Sequence, residues 1–124
     1  IVAVRDGEDL LMIRSQLSTT GRYHLLSGYV EVGETLEQTV KREVMEEVGV
    51  RIKNIRYYAN QPWSFSDTLM IGFTAELDGP RPPFHLQEEE ISAAKWVARA
   101  DIPARMDHAS IGSEMIEAFR EGRI

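Results

Sequence analysis

The chain has 124 residues, 43% hydrophobic and 27% charged, which suits one globular domain with a real core and leaves no room for a second. It contains no cysteine, so disulfides, thiol catalysis and thiolate zinc sites are removed together. A net charge of −6 argues against a long polyanion held in a basic groove. No apolar run of roughly eighteen residues marks a membrane span and no signal-like start is present, so a cytosolic setting is the default expectation.

Residues 1–4 are apolar and begin without a methionine or a cap. The expectation is that the sequence opens inside or just before a strand, with residues upstream lost or omitted. Asp6-Gly7-Glu8 reads as a turn and residues 9–14 as a second strand, giving a hairpin over 1–14. Residues 17–22 form a polar loop. His24 has no second histidine nearby, so it reads as a loop or strand residue, not a metal ligand. Residues 29–32 predict a short strand, Gly33 a turn, and residues 36–48 a helix. Thr35 and Gln38 have the spacing of a capping box, and Gly49 sits where a left-handed C-terminal cap is wanted. Leu36, Val40, Val44 and Val48 recur every four residues and predict a buried stripe. Glu47 lies angularly between Leu36 and Val40, at the boundary of that stripe.

Between Gly28 and Gly49 the chain carries six glutamates. Glu43, Glu46 and Glu47 fall within roughly 100° of arc, so three carboxylates share one helical face and repel. A solvated acidic helix is the ordinary account of a charge run. A bound cation is the alternative, and oxygen ligands without cysteine or clustered histidine select Mg²⁺, Mn²⁺ or Ca²⁺ over zinc. Mg²⁺ held by a few carboxylates keeps positions for water and substrate phosphate. Arg42 is placed to pair with Glu46 one turn on, or with Glu34 across the loop.

Gly28, five residues, Glu34, seven residues, Arg42-Glu43-Val44, one residue, Glu46-Glu47, one residue and Gly49-Val50 resemble the Nudix box of the Nudix hydrolases at every defined position. The resemblance implies an α/β/α sandwich of α/β (α+β) class with a mixed sheet. It also implies divalent metal, Mg²⁺ or Mn²⁺, held by Glu43, Glu46 and Glu47, with Arg42 among the catalytic set. Glu47 is expected to be the most damaging single loss. Which acid takes the proton is left open.

After Gly49, residues 50–59 and 68–77 predict strands, with a loop over 60–68 between them. The loop carries Asn60-Gln61-Pro62-Trp63-Ser64-Phe65-Ser66-Asp67-Thr68. It is similar to the SQPWPFPxS motif that follows the box in the NADH pyrophosphatase branch of the family. Gln61, Pro62, Trp63 and Phe65 match, whereas Asn60, Ser64, Ser66 and Thr68 replace Ser, Pro, Pro and Ser. A plug over the end of the sheet is the plainer account of these aromatics. Residues 78–83 are a surface turn, 93–97 a last strand, and 110–120 a closing helix with Ile111, Met115, Ile116 and Phe119 at helical spacing. In the family pattern a glutamate shortly before the Trp-bearing strand returns to the metal. Register on Trp96 selects Glu90, with Glu88 and Glu89 as fallbacks. Ser110-Ile111-Gly112 stands where relatives have a segment near the base pocket, or is a plain helix start.

The similarity therefore implies a metal-dependent pyrophosphohydrolase that cleaves NADH or NAD⁺ to nicotinamide mononucleotide and AMP, and accepts the 5′ end of NAD-capped RNA. Tyr29, Gln61, Trp63, Phe65 and Gly112 are the implied substrate contacts, and a homodimer is the implied assembly. An ADP-ribose or general nucleoside-diphosphate pyrophosphatase is the alternative. A non-catalytic nucleotide-binding module is a third reading, from a different class. Many relatives carry an upstream zinc ribbon of four cysteines, absent here, so the sequence is expected to be a catalytic domain alone or a relative without the ribbon.

Overall fold

The computed structural model describes residues 1–104 and 110–124. Its elements are β1 (Val2–Asp6), β2 (Asp9–Ser15), α1 (Leu36–Val48), β3 (Ile52–Trp63), β4 (Thr68–Leu77), β5 (Ile91–Ala98), a short 3-10 turn at Arg99–Asp101, and α2 (Ile111–Arg120). The five strands form one sheet in the order β3-β4-β1-β2-β5. β1 runs parallel to β4 and all other neighbours are antiparallel, so the sheet is mixed.

Strand alternation assigns the two faces. Val2 and Val4 of β1, Leu11 and Ile13 of β2, and Phe73 and Ala75 of β4 pack with Val40, Val44 and Val48 of α1. Ala3, Leu10 and Met12 point the other way and pack with Ile111, Met115, Ile116 and Phe119 of α2. One helix covers each face, which is the expected α/β/α sandwich. No helix among the described residues is long and apolar enough to cross a membrane.

Helix α1 forms where the caps put it. Thr35 Oγ1 accepts the Gln38 N–H at 3.1 Å and Gln38 Oε1 accepts the Thr35 N–H at 2.9 Å, closing the capping box. Gly49 ends the helix at φ 74°, a left-handed conformation that glycine adopts without a Cβ penalty.

Two expected elements differ. Residues 29–32 are irregular and not a strand, because their segment finds no edge to join: it is tied down by Arg42 and Glu34 instead of by a ladder. The segment 60–68 is not a loop for most of its length. β3 continues through Gln61, Pro62 and Trp63, paired with Met70, Leu69 and Thr68, and only residues 64–67 turn. Proline is tolerated there because β3 is an outer strand of the sheet.

Candidate active site

The sequence of α1 places its acids at three depths. Glu47, on the edge of the apolar stripe, is only 4% exposed, while the Glu46 side chain is half exposed. Glu47 Oε2 is buried without a hydrogen-bond partner among the described residues. Burial first, then the charges of Glu43, Glu90 and Glu46, push its pKa up from 4.5 to about 8. A buried carboxylate left in this state is costly, and the arrangement favours whatever cation compensates it. Burial also raises the Glu43 carboxyl, against the lowering effect of Arg42.

Arg42 holds the other acids. Its Nε donates to Glu34 Oε2 at 2.6 Å and its Nη2 to Glu34 Oε1 at 2.9 Å, forming a bidentate pair. Nη2 also donates to the Tyr29 carbonyl at 3.0 Å. Nη1 donates to Glu43 Oε1 at 2.8 Å and Glu46 Oε2 at 3.2 Å. Arg42 thereby holds the Glu34 carboxyl at about 2, well below the usual carboxylate range. Both expected partners, Glu34 and Glu46, are engaged at once, and Glu43 besides, because the guanidinium's five donors form a fork. Among the described residues no three acidic or histidine side chains stand close enough to hold an ion as they lie. Glu43 and Glu46 are turned toward Arg42, and a cation at Glu47 would have to draw them away.

Gly28 belongs to the same unit. A Cβ there would overlap the Glu43 carboxyl, so only glycine lets that side chain lie against the 28–33 segment.

These residues open into a cavity of about 630 Å³. Glu43, Glu47 and Glu90 form its acidic side, and Tyr29, Val30, Leu36 and Leu69 contribute apolar walls. Of the three consecutive glutamates only Glu90 lines it. Tyr29 is 76% exposed at this wall. Leu69 and Ile71 were not anticipated as lining residues. Their signal was alternation with Phe73, which puts all three on the α1 face of β4.

Trp63, Gln61 and Gly112 line a second cavity of about 250 Å³, which shares Ile1, Ser27 and Met70 with the first. Tyr29 and Trp63 thus line two adjoining cavities. Extension of β3 carries Trp63 to the α2 side of the sheet end. Gln61 Oε1 accepts the Ile111 N–H at 2.8 Å, so its carbonyl oxygen serves the first turn of α2. Phe65 lies in the hairpin turn, 87% exposed and lining neither cavity, with its ring 5.3 Å from that of Trp63. His24 pairs with Ile13 across a bridge and its Nδ1 contacts the Leu25 carbonyl, as expected of a strand-like residue.

The NUDIX domain family model matches residues 1–119. The chain belongs to the Nudix family. This Nudix domain is 41% identical to the "NAD-capped RNA hydrolase NudC" of Mannheimia succiniciproducens over 124 residues, covering 95% of this chain and 46% of that protein. It is 46% identical to the protein of the same name from Pseudomonas syringae, covering 96% of this chain and 42% of that one. The chain thus spans less than half the length of these curated relatives. Among solved structures, a Nudix hydrolase from Nitrosomonas europaea superposes with a TM-score of 0.78 at 22% identity, over 98% of this chain and 69% of that one. The Nudix domain of Shewanella oneidensis NrtR, solved in complex with ADP ribose, gives 0.70 at 22% identity, over 99% and 86%. These two likenesses speak to the fold. Nudix hydrolases as a family use divalent metal ions, and the orphaned Glu47 oxygen beside Glu43 and Glu90 is a donor set that fits one.

Proposed function

We propose that this Nudix domain hydrolyses the diphosphate of a dinucleotide, taking one water with NAD⁺ to nicotinamide mononucleotide and AMP, or with NADH to the reduced mononucleotide and AMP, and cleaving the same linkage at an NAD-capped RNA 5′ end. The observation that carries the reading is Glu47: a buried, unpartnered carboxylate on the acidic side of a large cavity whose other wall is apolar and aromatic. An acidic wall repels a bare diphosphate, so a ligand needing both charge neutralisation and a ring-binding surface suits the pair. The printed names of relatives at 41% and 46% identity support the choice of dinucleotide.

Glu43, Glu46, Glu47 and Glu90 would hold Mg²⁺ or Mn²⁺, ions that suit an all-oxygen site with room for phosphate and water. When bound, the metal neutralises the diphosphate, polarises phosphorus and makes water more acidic. The chain's own residues do the rest. Glu47 supplies a donor fixed by its burial, while Arg42 is anchored on Glu34 and pairs with Glu43 and Glu46, which would turn from it to meet a cation. Tyr29 offers a ring face at the mouth, and the missing Cβ at Gly28 lets the Glu43 carboxyl lie close against the backbone there. Trp63 and Gly112, in the adjoining cavity, suit the second half of a dinucleotide. The homodimer implied by the family and the cytoplasmic setting taken as the default belong to the same reading, and the dimer is checked by light scattering.

Mass spectrometry of the products with Mn²⁺ tests the proposal. AMP released from NADH supports it. Intact NADH beside rapid cleavage of ADP-ribose would replace it with an ADP-ribose pyrophosphatase, and NADH binding without turnover of any diphosphate would make the domain a nucleotide-binding module.

A further inference from the structure

Glu90 comes to the cavity from a turn that is fastened on two sides. On the first, the Gln87 N–H donates to the Glu47 carbonyl at 2.9 Å and the His85 N–H to the Val48 carbonyl at 3.0 Å, so the segment takes up acceptors left open at the end of α1. The turn then closes on itself, with the N–H groups of Glu90 and Ile91 returning to the Gln87 carbonyl at 2.9 and 2.8 Å. On the second side stands Gln16. Its backbone N–H donates to the Glu90 carbonyl at 2.8 Å, and its side-chain Nε2 donates to the Glu88 carbonyl at 2.8 Å. The β2–β5 ladder shifts register between Arg14 and Ser15, where Ser92 Oγ accepts from Arg14 Nε at 3.0 Å and donates to the Arg14 carbonyl at 3.1 Å. That irregularity turns the end of β2 so that Gln16 meets the 88–90 turn.

We propose that Gln16 is a positioning residue: its side-chain amide clamps the backbone of the turn and so sets where the Glu90 carboxylate stands beside Glu43 and Glu47. The choice of residue fits the task. A lysine or arginine at this place would be drawn to the three glutamate side chains and would compete with a cation for Glu90. A neutral amide donates to the backbone and leaves the carboxylates alone. The inference rests on the metal reading above, and its test separates the two.

Mn²⁺ binding is measured by calorimetry on the chain without substrate, for Gln16→Met, Glu90→Gln, the double variant and Glu47→Gln. Met keeps the length and removes the donor. Gln16→Met is expected to weaken Mn²⁺ binding by about three- to tenfold, the size of one lost outer hydrogen bond. Glu90→Gln should weaken it more, and adding Gln16→Met to Glu90→Gln should then change nothing further. In the metal-free protein, exchange of the Glu90 and Ile91 amides should quicken in Gln16→Met. Unchanged affinity in Gln16→Met or in Glu90→Gln, an undiminished Gln16→Met effect on the Glu90→Gln background, or unchanged amide exchange would each overturn the positioning role. Undiminished Mn²⁺ binding in Glu47→Gln would overturn the metal reading itself.

Discussion

Each helix of this domain buries one glutamate, and the two are treated in opposite ways. Glu47 of α1 is 4% exposed and Glu117 of α2 is 5% exposed. Glu117 Oε1 accepts from Arg120 Nε at 2.7 Å, three residues along the same helix. Glu47 keeps an oxygen with no partner among the described residues, although Arg42 lies on the same helix and spends its donors on Glu34, Glu43 and Glu46. At equal burial, a satisfied acid is part of the scaffold, and an unsatisfied acid surrounded by other acids is a place for something the protein does not supply. Family membership leads to the same expectation of a divalent cation at α1.

The largest break in that contrast is expected from Glu47→Gln. It removes the fixed donor, and diphosphate hydrolysis should fall by about a thousandfold or more. The metal-free protein should gain stability, with a definite pH dependence. Because the folded pKa is raised from 4.5 to about 8, the folded state holds this proton more tightly than the unfolded chain. Below the unfolded value both states are protonated and nothing is lost. Between the two values the unfolded chain ionises while the folded state still holds its proton, so folding is progressively disfavoured, and above about 8 the loss is complete. In EDTA, the Tm advantage of Glu47→Gln over the parent should therefore be near zero at acid pH and grow through neutrality to a plateau. Added Mn²⁺ should reverse the order by stabilising the parent alone. A Tm difference independent of pH would mean Glu47 is not the strained group described.

The site on α1 was readable because its residues lie within one helix and one preceding turn, where spacing translates directly into geometry. Capping, the apolar stripe and the rim position of Glu47 all follow from periodicity over 36–49. What sequence reading missed depends on partners far along the chain. Whether Trp63 stands on a loop or a strand is decided by pairing with Thr68, a hairpin whose turn carries Asp67 in a left-handed conformation with no glycine to signal it. That Gln61 serves α2 depends on Ile111, fifty residues away. Arg42 meets both acids named for it, but its simultaneous hold on them and on Glu43 was not foreseen, because one-dimensional spacing does not reveal a fork used from several sides. The role of Gln16 had no signal, since a lone glutamine in a polar stretch has no pattern.

Arg42→Gln should sharpen the comparison from the other side, with a smaller effect. Releasing Glu34, Glu43 and Glu46 leaves Glu47 where it is but unfixes its companions. kcat/KM is expected to fall by about ten- to a hundredfold, the usual consequence of losing an orienting partner around a metal site. Arg42→Lys should fall nearly as far, because an ammonium cannot reproduce the bidentate hold on Glu34. Recovery of parent activity by the lysine variant would show that charge alone matters and that the fork does not.

Tyr29→Ala should then cost about tenfold in KM for NADH, in line with one aromatic stack, while kcat changes little. Cleavage of ADP-ribose, which lacks the nicotinamide ring, should suffer less. Since the Tyr29 carbonyl that Arg42 grips is backbone, the variant keeps that bond and isolates the ring. Equal losses on both substrates would make Tyr29 part of the wall without a ring-binding role.

The smallest effect on catalysis is expected at the satisfied acid. Arg120→Leu removes the cation that Glu117 accepts from, at the end of α2 remote from Gly112 and the second cavity. It should lower Tm, because a buried carboxylate loses its charge-assisted partner, and leave kcat/KM within about twofold of the parent. Glu117→Gln on the same background should recover part of the lost Tm by removing a buried charge that has lost its Arg120 cation. Applied to α1, the same change from Glu to Gln is expected to raise metal-free stability and destroy activity. Both helices would then have lost the same atom type at the same depth, with stability gained in each and function lost in one. If Arg120→Leu instead lowered kcat/KM as steeply as Arg42→Gln, the division between a scaffold acid and a site acid would fail, and α2 would have to be counted as part of the active site.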